Sequence, residues 1–218
     1  KQVMLPEIEI VQMYYVNQLK YNTVYNFDKE YRPKLFKRIR EFRWENPIHE
    51  SVVNMPVVYD SDIEIYHLPE ALHTKRDVHC YYKALEREEK LPEKLWIMWG
   101  KELFISGENQ DFIDSKPYFL EHMEGDIVTE NELRTCQCVL SKAARLENDL
   151  PLFLSMCMKN TAMADSSSEI CCELGTYYVT IKNYEEASLW YYNAAFETES
   201  ECDIRCQGEI PLYGLAYC

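Results

Sequence analysis

Hydrophobic and polar positions change rhythm once along this chain. Before about residue 70 the apolar side chains come in short alternating runs. Ile8-Glu9-Ile10-Val11-Gln12-Met13-Tyr14-Tyr15-Val16 is rich in β-formers, and Asp62-Ile63-Glu64-Ile65-Tyr66-His67 alternates cleanly. Period-two alternation gives a strand one face for a core and one for water, so both read as strands, the second stopped by Pro69. Lys34–Arg38 and Glu41–Trp44 are shorter candidates separated by a charged bend. From about His73 onward the apolar residues recur at three- and four-residue intervals instead. Val78, Tyr81, Tyr82 and Leu85 mark one helical face, and Leu95, Met98, Trp99, Glu102 and Leu103 the next. Asp149 ahead of Pro151 reads as a helix start, as does Ser166-Ser167-Ser168-Glu169, where Ser with a following Glu has the form of a capping box. Gly107, Gly125, Asn183 and Gly208 fall at helix ends. The pattern predicts an α+β chain, with a short β-rich part over residues 1–72 and an all-α array of paired helices over 73–218.

The helical part carries a repeat. In SEICCELGTYYVTIKNYEEASLWYYNAAF, residues Leu174, Gly175, Tyr178, Ala187, Tyr191 and Ala194 follow the order and spacing of a tetratricopeptide repeat. Gly175 and Ala187 are small where two antiparallel helices would cross, Tyr178 and Tyr191 fill the space beside them, and Asn183-Tyr184 turns the chain. Neighbouring segments are degenerate. Trp96, Trp99, Gly100 and Leu103 match a first helix, but Phe112 and Lys116 fit its partner poorly. Residues 129–163 read as another pair, with Leu133, Cys136, Leu140, Ala143, Leu152 and Met156 inward. Residues 209–218 read as the first helix of one more pair. With Ile210, Leu212, Tyr213, Leu215, Ala216 and Tyr217 uncovered, that end is expected to self-associate or to be poorly ordered.

Charge narrows the function classes. The chain has 218 residues and a formal net charge of −14. Residues 1–72 hold 9 basic and 11 acidic side chains, whereas 73–218 hold 14 and 26. Nearly all the acidity belongs to the helices, which argues against a nucleic-acid partner. No apolar run reaches the roughly 18 residues a membrane span needs, and KQVMLPEIEI has no signal-peptide pattern. The nine cysteines all lie at or after Cys80. An odd count without metal-ligand spacing points to reduced thiols packed as small apolar groups, and so to a cytoplasmic location.

Four strings carry a wider resemblance: FRWENPIHESVV (42–53), SDIEIYHLP (61–69), the pair around WIMWGKELFISGE (96–108), and SEICCELGTYYVTIKNYEEASLWYYNAA (168–195). In this order, and with CQGEIPLYGLAYC (206–218) after them, they resemble bacterial family 2 glycosyltransferases with a GT-A catalytic domain followed by tetratricopeptide-like repeats. The resemblance spans roughly residues 10–218. It implies that residues 1–72 correspond to the C-terminal part of a catalytic domain. The nucleotide-binding half, with its Asp-x-Asp metal motif, would precede them. Asp60-Ser61-Asp62 is an Asp-x-Asp string on the wrong side of His49-Glu50. The resemblance therefore implies an enzyme that moves a sugar from a nucleotide-sugar donor to an acceptor with a divalent metal, Mn or Mg. This portion alone is expected to be inactive.

Sugar transfer needs an acceptor base and charge stabilisation on the leaving diphosphate. On the resemblance His49 is the metal or phosphate ligand, and Glu50 orients it or contacts the acceptor. Trp44 forms a wall of the sugar pocket, since an aromatic face suits the apolar side of a pyranose. Arg38, within the basic run Lys29, Arg32, Lys34, Lys37, Arg38, Arg40 and Arg43, faces the donor diphosphate, and His67 is a second substrate contact. Read from residue types alone, Trp44 is equally a strand-end core residue and the basic run a solvated face. The competing function is a non-catalytic tetratricopeptide scaffold that holds a peptide or protein in its groove.

Overall fold

In the computed structural model the described residues are 6–17, 30–39, 41–46, 51–52, 55–67, 74–87, 90–125, 129–163 and 166–218. The chain divides near residue 72 into two compact units, one holding the strands and the other the helices.

The strand unit is a three-stranded sheet, order β2-β1-β5, built from β1 (Ile10–Asn17), β2 (Glu30–Phe36) and β5 (Val58–His67). β1 lies between its partners, antiparallel to β2 and parallel to β5. Pro33 is tolerated because β2 is an edge strand and the register slips beside it, between Val11 and Gln12. A second irregularity sits between Gln12 and Tyr14, where the buried Ser61 hydroxyl donates to the Gln12 carbonyl at 2.8 Å. A two-stranded ribbon pairs β3 (Trp44–Glu45) with β4 (Ser51–Val52). The basic stretch from Lys34 is thus the end of a longer strand followed by a turn, and only Trp44 and Glu45 of the next candidate pair.

This sheet is poorly covered. Among the described residues of its strands only Ile10, Val11 and Ser61 are buried, while Tyr31, Leu35, Val58, Tyr59, Ile63 and Tyr66 are exposed. The clean alternation of residues 62–67 is present, but Ile63 on its apolar register faces solvent.

The helical unit holds α1 (Thr74–Glu86), then α2 (Glu93–Ser106) with α3 (Asn109–Met123), α4 (Glu130–Glu147) with α5 (Leu150–Thr161), and α6 (Ser168–Thr180) with α7 (Tyr184–Phe196). A 3-10 turn at Ile204–Gln207 leads to α8 (Glu209–Tyr217). Only two or three residues join the members of each pair, so each is an antiparallel hairpin. The turns use the expected chemistry. Asn148 takes the left-handed conformation (φ 59°) after α4, and the Asp149 and Asn183 carboxyl and amide oxygens accept the backbone N–H of Leu152 and Glu186. Thr129 and Glu132 close a capping box at the start of α4.

Aromatic packing fixes the first hairpin. Trp99 is fully buried, stacked on Tyr81 of α1 at 5.1 Å and edged by Phe119 of α3. Phe112, expected to fit poorly, is fully buried against Phe104 at 5.1 Å, and Lys116 reaches across to Glu147 and Asp149. The first pair is therefore well formed, and large rings replace the small residues of the third. Small residues do mark two other crossings. A Cβ on Gly100 would sit 2.2 Å from the Thr135 methyl, and Cβ atoms on Gly175 and Gly214 would both strike the Tyr191 ring.

Candidate functional site

The strand unit carries the residues that the sequence singles out. β2 ends at Phe36, and the turn that follows is tied down by the Lys37 amide, which donates to the Glu9 carbonyl at 2.8 Å, and by the Lys37 ammonium on the Pro6 carbonyl. This anchoring leaves Arg38 at the tip of the turn, exposed. Trp44 opens β3 opposite Val52 and is 50% exposed. Its inner edge rests on Phe36, with ring centroids 5.3 Å apart, and Phe36 in turn meets Phe42 at 5.5 Å. Trp44 is thus neither a core residue nor a loose one. It is an indole with one side held by Phe36 and about half its surface in solvent.

Phe36 is the residue that sequence reasoning missed. It sits two positions before Arg38 and touches Trp44, so it brings the exposed guanidinium and the indole to one end of the sheet. The signal was present, since Phe36 lies between the basic positions of the run, within the short strand candidate Lys34–Arg38.

His67 is placed elsewhere. Phe36 pairs with Ile10 at one end of β1, whereas His67 pairs with Asn17 at the other. Seven residue steps of a strand separate those ends, about 23 Å. His49 and Glu50 fall between β3 and β4 and lie outside the described residues.

Among the described residues no three His, Cys, Asp or Glu side chains converge on a metal position. Asp60 and Asp62 flank the buried Ser61 and are exposed on one side of β5. Their charges reach Tyr31, whose hydroxyl is pushed up to about 12, first by its hydrogen bond with Tyr14 and then by burial and neighbouring charge.

The helical unit shows what its inner face can do. Residues 199–207, between α7 and α8, run across the first helices of all three hairpins. The Glu169 carboxylate, fully buried at the start of α6, accepts the backbone N–H groups of Glu201, Cys202 and Asp203 at 2.8–3.0 Å. Arg134 of α4 pairs with Glu201. Cys172 of α6 donates its thiol to the Cys206 carbonyl at 3.2 Å. Arg205 Nη2 donates to the carbonyls of Phe104 and Ile105, at 3.2 and 2.8 Å, and so caps the last turn of α2. Asp203 holds that guanidinium through Nε at 2.7 Å.

Glu169 thus turns away from the role that its position after Ser167 suggests. Ser167 is the N-cap residue, but it makes no side-chain cap bond, and its hydroxyl accepts from Asn160 at 3.1 Å instead. The seven thiols of Cys136, Cys138, Cys157, Cys171, Cys172, Cys202 and Cys206 are buried and free, in keeping with their reading as apolar filler. Burial pushes the Cys136 thiol up to about 12 and the Cys171 thiol up to about 11.

No family model, curated protein or solved structure matches this chain.

Proposed function

We propose that residues 1–72 form the acceptor-side end of a glycosyltransferase catalytic domain, which moves a sugar from a nucleotide-sugar to an acceptor, and that the helical unit holds the acceptor or a protein partner. Trp44 is the observation that carries this reading. A half-exposed indole that rests against Phe36, two residues before the exposed Arg38, offers an apolar surface and a nearby stretch of positive charge in sequence, which suits a pyranose that carries an anionic group. The open sheet supports the same reading. Three strands that bury three described residues and expose six large apolar ones fit a part of a larger layered domain, because a sheet needs a second layer over its apolar face.

In this proposal Trp44 stacks on the sugar, and Arg38 offsets charge on the diphosphate. Glu50 serves the acceptor, and His49 assists the leaving phosphate with any Mn or Mg ion the reaction uses. The competing reading, a non-catalytic tetratricopeptide scaffold, needs an open inner groove. Residues 199–207 lie across that face, which favours the first reading.

The experiment is sugar transfer by the continuous gene product. With Trp44→Ala, kcat/KM falls about 10- to 100-fold while Tm holds, and Trp44→Phe restores part of it. Unchanged kinetics in Trp44→Ala, or a gene product with no transfer or hydrolysis of any nucleotide-sugar, would sink the proposal. On this reading the nucleotide-binding half lies outside residues 1–72, so the chain of 218 residues alone binds nucleotide-sugar with Mn no tighter than about millimolar by calorimetry.

A further inference from the structure

In an open array of helical hairpins the first helices line a groove, and each keeps one face in solvent. Here they do not. Every residue of α4 from Arg134 to Ser141 is buried, as is every residue of α6 from Ser168 to Gly175. The crossing segment 199–207 contributes to this, packed closely enough that its own Cys202 and Asp203 are buried. The inner face is already filled by the chain itself, so a partner must use another surface.

The second helices supply one. On α3 the outward positions Gln110, Asp114 and Glu121 are polar, as a solvated helix requires. On α7 the corresponding stripe is apolar. Leu189, Tyr192 and Phe196 are 53%, 48% and 58% exposed, and they follow one another at i, i+3 and i+7. The Tyr192 and Phe196 rings touch at 4.9 Å, so the stripe is continuous over two turns. Glu185 and Glu186 bound it at one end and Glu197 and Glu199 at the other, against one cation, Lys182.

We propose that the outer face of α7 docks a basic amphipathic helix of a partner protein. The proposal deepens the partner-binding role given above to the helical unit and does not depend on sugar transfer. Apolar anchors at i, i+3 and i+7 match the spacing with which helix meets helix, and the carboxylates at both ends select positive charge. The same carboxylates disfavour a second copy of this chain, whose residues 73–218 carry 26 acidic and 14 basic side chains. They also disfavour an anionic membrane.

Fluorescence anisotropy on the full chain tests this, with a labelled helical peptide of Leu and Arg at that spacing. Its counterpart with Glu in place of Arg is the control. The basic peptide binds in the micromolar range and the acidic one does not. Leu189→Ser with Phe196→Ser weakens binding about tenfold, and so does Glu185→Lys with Glu197→Lys, the latter also flattening the salt dependence. Circular dichroism shows both variants folded, since all four side chains are exposed. A basic peptide whose affinity ignores these variants overturns the surface but leaves the partner-binding role standing. Equal binding of the two peptides, or none below about 0.1 mM, overturns the proposal itself. So does light scattering that shows a dimer lost in Leu189→Ser with Phe196→Ser, or preferential binding to phosphatidylserine vesicles.

Discussion

Tyr191 occupies a slot between two glycines. Its ring would lie 2.7 Å from a Cβ on Gly175 and 2.5 Å from one on Gly214, and its hydroxyl meets the Thr176 hydroxyl at 3.1 Å. A methyl group on either side therefore requires the ring or a helix to move. Overpacking of this kind costs about 1–3 kcal/mol. Gly214→Ala and Gly175→Ala should each lower stability by that amount in urea denaturation, and a neutral result would mean that the helices slide apart freely. The cysteines divide as sharply. Cys218 is exposed and Cys80 half-buried, whereas the other seven are buried, out of reach of a reagent in solvent. Iodoacetamide at pH 8 should modify Cys218 fast, Cys80 slowly and the remaining seven only after unfolding. Rapid modification of a third thiol in the native protein would show that the buried cluster opens.

At the level of elements, the segment 199–207 depends on Glu169 more than on any other side chain. Three backbone N–H groups converge on that carboxylate, two of them from buried residues. Glu169→Ala leaves all three without an acceptor, at about 1–3 kcal/mol for each of the two buried donors, so a loss of at least about 2 kcal/mol is expected. Glu169→Gln keeps one oxygen for Cys202 and Asp203 and should lose less than half as much. If the alanine variant loses under about 1 kcal/mol, the segment is held by Arg205 and the thiol contacts instead.

Glu169 also shows why parts of this fold were hidden in the sequence. Its spacing from Ser166 and Ser167 is that of a capping box, a local pattern, but its partners lie more than thirty residues away and no local rule points to them. Helix periodicity and turn chemistry did reveal the three hairpins, because Asn148, Asp149 and Asn183 act on neighbours a few residues off. Phe112 was misjudged for the opposite reason. The repeat pattern asks for a small residue there, and the compensating ring, Phe104, comes from the other helix. In the strand unit, alternation located β1 and β5, yet exposure of Ile63 follows from what covers the sheet, which alternation does not encode. Trp44 and Arg38 were legible as candidates. Their meeting through Phe36, and the distance of His67 from both, required the register of β1.

For the whole molecule, six buried thiols, those of Cys136, Cys138, Cys157, Cys171, Cys202 and Cys206, tie stability to alkaline pH. A thiol has an ordinary value near 9 in the unfolded chain, and burial raises it in the folded one, to about 11 for Cys171 and about 12 for Cys136. Below pH 9 both states keep the proton, and the full stability is present. Above it the unfolded chain releases protons that the folded chain retains, so stability falls as pH rises, until the folded thiols ionise in turn. Each thiol contributes a slope of up to about 1.4 kcal/mol per pH unit. Urea denaturation between pH 7.5 and 10.5 should show this decline, and Cys136→Ala should lessen it by about one proton. Parallel curves for the variant and the parent protein would mean that Cys136 is solvated.

Arg205 reaches carbonyls a hundred residues earlier in the chain, at Phe104 and Ile105. Arrays of hairpins ordinarily order themselves one neighbour at a time, from whichever hairpin nucleates first, and can fray from an end without disturbing the middle. A cross-link between the first hairpin and the segment after the third changes that kinetics. It closes a loop over the whole array, raises the mean sequence separation of its contacts, and defers the final ordering until all three hairpins are in place. The helical unit then loses the graded, end-first unzipping of a repeat protein and melts in one step, with a folding rate set by its slowest closure and not by its fastest helix.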